Sequence, residues 1–225
     1  MPRESMSTLS VLVTETITTP ASHPITVDGA PATYILDVGK DGNIIPTDGD
    51  KVYVYFGMRR GGKSYYALDV SDPNVPKILW RINKSDAGGA FAELGQTWST
   101  PRVASMLVDG SNNPTPVLIF AGGYDTNKDG SHAHHAVANT VGTNDSEGNA
   151  IFIVNAKTGA LIWKAVKGAS AGYNSGTGAY THPDLVDSIP SDVAVVDSNG
   201  NGLVDRLYVG DTGGVVWRVD TKCSK

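Results

Sequence analysis

Four oxygen-bearing side chains recur at regular spacing near the C-terminus: Asp197, Asn199, Asn201 and Asp205. They fall at positions 1, 3, 5 and 9 of a loop whose sixth position is Gly202, where an EF-hand calcium loop makes its sharp turn. The seventh position, Leu203, needs only its backbone carbonyl, so an apolar side chain is acceptable there. Ca²⁺ is a hard cation that seeks six to eight oxygens, and this loop offers about five before water. The bidentate glutamate that ends an EF-hand loop is absent, because its place is taken by Tyr208. The reading is a Ca²⁺ site formed by Asp197, Asn199, Asn201, Leu203 and Asp205. The alternative is a plain Asn-Gly turn with no metal.

The flanks decide what kind of element carries this loop. Val193-Ala194-Val195-Val196 precedes it and Arg206-Leu207-Tyr208-Val209-Gly210 follows. Both runs are rich in β-branched or aromatic residues, so they read as strands and the loop as the turn of a metal-tied β-hairpin. No helix is expected on either side.

Composition agrees with a strand-rich chain. Of 225 residues, 40% are hydrophobic and only 18% charged, with 26 glycines and 12 prolines. Few charges, many turn residues and no long amphipathic run point to an all-β protein. A net charge of −5 argues against non-specific nucleic-acid binding. No run of 18 apolar residues predicts a membrane-spanning helix. The single cysteine, Cys223, excludes an internal disulfide. The N-terminus lacks the apolar centre of a signal peptide, so the chain either stays inside the cell or is exported as part of a longer one.

Residues 1–22 are rich in Ser, Thr and Pro and read as an N-terminal arm or lead-in strand. From Pro31 a pattern recurs: proline, apolar strand, Asp-rich loop, a second strand ending in glycine, a third strand, then a strand bearing tryptophan. The first copy holds Pro31, residues 52–57, 65–69 and Ile78-Leu79-Trp80. The second holds Pro101, residues 103–108, 117–122, 151–155 and Leu161-Ile162-Trp163. The third holds Pro190, the calcium loop, residues 207–210 and Val215-Val216-Trp217, and stops before its last strand. Four short strands per unit, repeated, predict a β-propeller over residues 23–225, with about three recognisable blades and a C-terminal truncation. Pro101 follows Pro31 by 70 residues and Pro190 follows Pro101 by 89, longer than an ordinary blade of about 40 to 45. Two non-periodic insertions, 125–149 and 165–187, account for the excess. Helix is expected only as a short turn near residues 86–94.

Several segments together carry a resemblance. Ala156-Lys157-Thr158-Gly159-Ala160-Leu161-Ile162-Trp163 is similar to the tryptophan-docking motif of quinoprotein-like propellers. Tyr66-Ala67-Leu68-Asp69-Val70-Ser71-Asp72-Pro73, Leu94-Gly95-Gln96-Thr97-Trp98-Ser99-Thr100-Pro101 and Gly210-Asp211-Thr212-Gly213-Gly214-Val215-Val216-Trp217 narrow it further, with Val27-Asp28-Gly29-Ala30-Pro31 ahead of them. In this order they resemble the C-terminal propeller of the PilC/PilY family of type IV pilus tip-associated adhesins. The resemblance implies a bacterial surface protein at the pilus tip or outer membrane. It implies Ca²⁺ regulation of pilus extension against retraction, and roles in adhesion and twitching motility. The implied partners are minor pilins and other pilus tip components, and a host or abiotic surface receptor. Asp197, Asn199, Asn201, Leu203 and Asp205 fall where that family's calcium loop falls.

The remaining constellations read more blandly. Asp125-Thr126-Asn127-Lys128-Asp129-Gly130 opens like a second calcium loop, but its ninth position is Ala133, so Asp145 or Glu147 would have to return to close it. His132, His134 and His135 read as part of a solvated loop. Arg59-Arg60-Gly61-Gly62-Lys63 reads as a hairpin connection that could also meet an acidic partner. Trp80, Trp163 and Trp217 are expected at equivalent packing positions between blades, with Trp98 outside that register. Quinoprotein dehydrogenases share such blades and also use Ca²⁺, but they hold their quinone over an adjacent-cysteine disulfide that a lone Cys223 cannot form. With no Ser/His/Asp set either, no enzyme is expected. A third reading, a calcium-stabilised ligand-binding propeller, gains if the loops form an aromatic-lined pocket.

Overall fold

The computed structural model describes residues 5–6, 25–108, 110–127 and 144–221. Almost all of the expected N-terminal arm, the three histidines, and Lys128 and Asp129 lie outside the described residues. Three sheets are built in chain order. The first is an antiparallel meander of β1 (Ala32–Leu36), β2 (Lys51–Gly57), β3 (Ser64–Asp69) and β4 (Lys77–Asn83). The second begins likewise with β5 (Arg102–Met106), β6 (Thr115–Ala121), β7 (Ala150–Asn155) and β8 (Leu161–Lys167). The third holds β11 (Ala194–Val196), β12 (Arg206–Gly210) and β13 (Val216–Asp220). The protein is all-β, and the sheets do not close on one another, as in an incomplete propeller of four-stranded blades. The described residues contain no α-helix. The turn expected near residues 86–94 is a single 3-10 turn, Ala87–Gly89.

One expectation is corrected. The stretch 165–187 is not a structureless insertion. β8 runs on to Lys167, and β9 (Gly172–Asn174) and β10 (Ala179–His182) form a hairpin that extends the second sheet, β10 lying parallel to β8. The segment escapes a periodicity reading because β9 buries no residue and β10 buries only Ala179, so neither alternates apolar with polar residues.

The core sits between the sheets. Along β6, Leu118 and Phe120 face the first sheet, while Val117, Ile119 and Ala121 face the third. Along β7, Ala150, Phe152 and Val154 face the first sheet, and Ile151 and Ile153 the third. This is the period-2 alternation of a strand, with both faces buried. Tyr53, Tyr55, Tyr65 and Trp80 pack against Phe120 and Phe152 from the first sheet. Val193, Leu207 and Val209 cover the other face from the third. Glu147 adds a polar tie, pairing with Lys63 at 2.5 Å and Lys84 at 2.7 Å across the first interface.

Trp80 shows how successive units interlock. Its indole Nε1 donates to the carbonyl of Ala156 at 3.1 Å, in the turn between β7 and β8 of the next sheet. Its ring lies so close to Gly159 that an added Cβ there would stand 2.9 Å from the indole. Trp80 pairs with Ala67, and Trp163 with Ile153, each beside a register shift and two residues before the strand's terminal Asp69 or Asn155. These two are equivalent. Trp217 is not: it lies on β13, the third strand of its sheet, opposite Val209, and its Nε1 donates to Asp211 of the same hairpin at 2.7 Å. The equivalence expected of Trp217 from the likeness of Val-Val-Trp to Leu-Ile-Trp therefore does not hold.

Candidate metal centre

β11 and β12 place the loop. Their pairing ends at Val196 and Arg206, and the amide of Asp205 donates to the carbonyl of Val196 at 2.9 Å. Val204, just inside the loop's end, is buried, and its amide donates to the carbonyl of Ser105 at 3.0 Å. The base of the hairpin is thereby fixed to the second sheet, while residues 197–202 are exposed to solvent.

Within the loop, side-chain oxygens turn inward onto backbone amides. Asp197 Oδ1 accepts from Gly200 at 2.8 Å and Asn201 at 3.2 Å, and its Oδ2 accepts from Gly202 at 2.7 Å. Asn199 Oδ1 accepts from Asn201 at 3.0 Å, and Asn201 Oδ1 from Leu203 at 2.8 Å. Asp205 Oδ2 accepts from both the amide (2.7 Å) and the hydroxyl (2.6 Å) of Ser198. Gly200 (φ +74°) and Gly202 (φ +82°) adopt the left-handed conformation that this tight curl demands. The Ser198 hydroxyl and amide, helped by the Asn199 amide and the Arg206 charge, hold the Asp205 carboxyl below its usual range.

The five sequence-derived residues thus belong to one ordered turn. Its donors are two carboxylates, two amide oxygens and the Leu203 carbonyl, all hard oxygens. Each oxygen has two acceptor lone pairs, so a backbone bond leaves room for a cation. That set fits Ca²⁺ better than Zn²⁺, which prefers nitrogen and sulfur. Among the described residues, no three His, Cys, Asp or Glu side chains gather as a metal cluster, so the loop relies on its neutral oxygens as well. Ser198 was not legible as a participant, since its role is to orient Asp205 rather than to offer a ligand at the expected spacing.

The Asp125 segment resolves differently. Asp125 is buried, and Oδ2 accepts from the Ser146 amide (2.7 Å), the Ser146 hydroxyl (2.9 Å) and the Glu147 amide (3.2 Å). The chain does return here, but as hydrogen-bond donors, the Ser146 amide and hydroxyl and the Glu147 amide, rather than as a closing carboxylate. The Glu147 carboxylate is engaged by lysines, and Asp145 accepts from the Ser188 amide at 2.6 Å. Asp125 pins both ends of the long insertion.

The loop between β1 and β2, the Asp-rich loop of the first unit (37–43), repeats the frame of the β11–β12 loop. Asp37 Oδ2 accepts from Gly42, five residues on, at 2.8 Å, as Asp197 does from Gly202. Asp50, the residue before β2, accepts from Val38 at 2.8 Å, as Asp205 does from Ser198. Here the closing Asp50 spends its second oxygen on the Ile45 amide at 2.9 Å, and the third position is Gly39 with no side-chain oxygen.

Comparison with known proteins follows the same line. The family model of the PilY1 beta-propeller domain matches residues 19–225. The type IV pilus biogenesis factor PilY1 of Pseudomonas aeruginosa strain PAO1 is 26% identical over 168 residues, covering 75% of this chain and 11% of that protein. A PilY1 homolog of Xylella fastidiosa, also described as a type IV pilus biogenesis factor, is 30% identical over 176 residues, covering 72% of this chain and 9% of that protein. The chain therefore spans about a tenth of the length of these relatives. The crystal structure of the P. aeruginosa PilY1 C-terminal domain superposes with a TM-score of 0.54 at 24% identity, over 86% of this chain and 30% of that one. At that identity the likeness speaks for the fold. With the family model spanning nearly the whole chain, the protein belongs to the PilY1 β-propeller domain family.

Proposed function

We propose that this propeller serves a type IV pilus biogenesis factor and that Ca²⁺ held by the β11–β12 loop sets the state of its hairpin. Family membership carries the first half of this reading. The ordered oxygen set of Asp197, Asn199, Asn201, Leu203 and Asp205 supports the second. In this reading the protein acts at the bacterial surface, at the pilus tip or outer membrane, beside minor pilins. Calcium occupancy then biases pilus extension against retraction, and with it twitching motility and adhesion to a surface receptor. No helix among the described residues is long and apolar enough to cross a membrane. No catalytic step is assigned, and stoichiometric binding of pyrroloquinoline quinone would overturn that.

Only two of the five ligands carry charge, so the expected Kd lies at about 10⁻⁶ to 10⁻³ M, from sensor to extracellular range. At a hundredfold excess over Kd, binding stabilises the fold by about 2.7 kcal/mol. Asp205→Ala is expected to abolish calcium binding and leave the fold intact. Titration calorimetry on both proteins decides this, and equal Ca²⁺ affinity would refute the site. The same substitution in the full-length factor should then alter twitching; normal motility despite lost calcium binding would leave the metal a structural role only.

A further inference from the structure

Val204 and Asp205 join the metal loop to the rest of the molecule. The amide of Val204 donates to Ser105 of the second sheet at 3.0 Å, and its carbonyl accepts from the hydroxyl of Thr221. The amide of Asp205 donates to Val196 at 2.9 Å, and its carbonyl accepts from the amide of Thr221 at 2.8 Å. Both carbonyls of this node are therefore held by Thr221, the residue that follows β13. The Asp205 carboxylate hangs from the same node and reaches across to Ser198.

The other two units show which of these bonds the fold itself needs. In each unit the residue after the third strand donates its amide to the second strand or to the residue that enters it. Val70, after β3, donates to Val52 at 2.9 Å. Ala156, after β7, donates to Pro116 at 3.0 Å, and Thr221, after β13, to Asp205 at 2.8 Å. The residues just before them, Asp69, Asn155 and Asp220, pair with Tyr53, Val117 and Arg206, each one residue beyond the acceptor. Val70, Ala156 and Thr221 are thus equivalent positions. The fold accepts a valine and an alanine there, so it needs the amide bond and not a hydroxyl. The hydroxyl appears in the unit whose second strand is entered directly by Asp205. In the first unit, Asp50 stands two residues before Val52 and is held instead by Val38 and Ile45.

We infer that Thr221 is a positioning residue for the β11–β12 loop. Its hydroxyl fixes the Val204 carbonyl, and with it the peptide that carries Asp205, so it sets where the Asp205 carboxylate stands. This rests on the calcium reading of the loop. Oxygen ligands must meet the ion within about 0.2 Å, so a small shift of Asp205 costs affinity. Val204 is buried, so water has little access to a carbonyl that loses its donor. The coupling runs both ways: an ion that restrains Asp205 also restrains the chain where it leaves β13.

Titration calorimetry with Ca²⁺ on the folded chain tests this. Thr221→Val removes the hydroxyl and installs the residue found at Val70. It should weaken calcium binding about tenfold or more, whereas Thr221→Ser, which keeps the hydroxyl, should stay within about twofold of wild type. Thr221→Ala, matching Ala156, is a second variant without the hydroxyl and should behave as the valine does. The β12–β13 pairing from Arg206 and Asp220 to Gly210 and Val216 is untouched in all three. Hydrogen exchange reads the reverse direction: calcium should slow the Thr221 amide in wild type, and less so in Thr221→Val at equal occupancy. Equal affinity in wild type and the variants lacking the hydroxyl, an equal loss in Thr221→Ser, or a Thr221 amide indifferent to calcium would overturn the role of Thr221 alone. No calcium binding by wild type would overturn the loop as a metal site and take this role with it.

Discussion

Three aspartates in this chain do different work with the same carboxylate. Asp205 sits half-buried at the end of a loop and accepts from Ser198, Asp50 closes a loop entirely with its own amides, and Asp125 is buried as a clamp. Burial pushes the Asp125 carboxyl up, but the Asn127 amide, the Ser146 hydroxyl and amide, and the Glu147 amide outweigh it and hold it below the usual range. Its folded pKa is therefore lower than its unfolded one, near 3.9. The stability it contributes is full above about pH 4 and is lost as pH falls through the folded value. Replacing it by alanine leaves several amides without an acceptor, an expected loss of about 3 kcal/mol at neutral pH. Urea unfolding of wild type and Asp125→Ala should show a gap at pH 7 that narrows below about pH 4. A gap independent of pH would mean that the carboxylate charge is not what binds these donors. None of this was legible from spacing alone. Asp125 looked like a first calcium ligand because its partners, Ser146 and Glu147, stand 21 and 22 residues away.

At the scale of the element, the join between the first and second sheets rests on Trp80 and the turn that receives it. Gly159 is held at φ +71°, and a Cβ there would sit 2.9 Å from the indole. Gly159→Ala should thus be destabilising on two counts, with about 1–2 kcal/mol from the left-handed backbone alone. The part due to the indole should fall when Trp80 is reduced to phenylalanine, so the two substitutions should be non-additive. Thermal or urea denaturation of the two single variants and the double variant measures this. Strict additivity would mean the ring and the turn are not in contact. The elements themselves were largely legible. β2, β6, β7 and β12 show in the sequence because each has buried apolar side chains on at least one face. β9 and β10 did not show, because they are held by pairing to β8 and each other rather than by a buried face. Trp217 was read on a strand before the last of its unit, where it lies, but its packing was not legible: a triplet names a residue pattern, and only pairing tells what its tryptophan meets. For the β11–β12 loop, spacing placed all five residues in one turn, whereas the anchoring of Val204 to Ser105 depends on a neighbouring sheet.

Across the whole molecule, stability should be graded by how many faces of a sheet are covered. The second sheet is packed on both sides, and β6 from Val117 to Ala121 is wholly shielded from solvent. Opening β6 or β7 exposes both core clusters at once, so their amides should exchange only through global unfolding. β9 has no buried residue and forms the edge of its sheet, and β10 joins that sheet through β8 alone. Opening that hairpin costs little more than the burial of Ala179 and the edge contact of His182 with Trp217, a local opening of much lower free energy than global unfolding. β13 is intermediate, being an edge whose Trp217 and Val219 pack against the second cluster while Val216 is 71% exposed. Hydrogen exchange should therefore rank protection as β6 and β7 first, β13 next, and β9–β10 last. The gap between the extremes should be at least about a hundredfold, equivalent to about 2.7 kcal/mol. Calcium should raise protection in β11 and β12, which the loop joins, and leave β9–β10 unchanged. If β9–β10 exchanged as slowly as β6, the hairpin would be an integral part of the cooperative core rather than an extension of the sheet's edge.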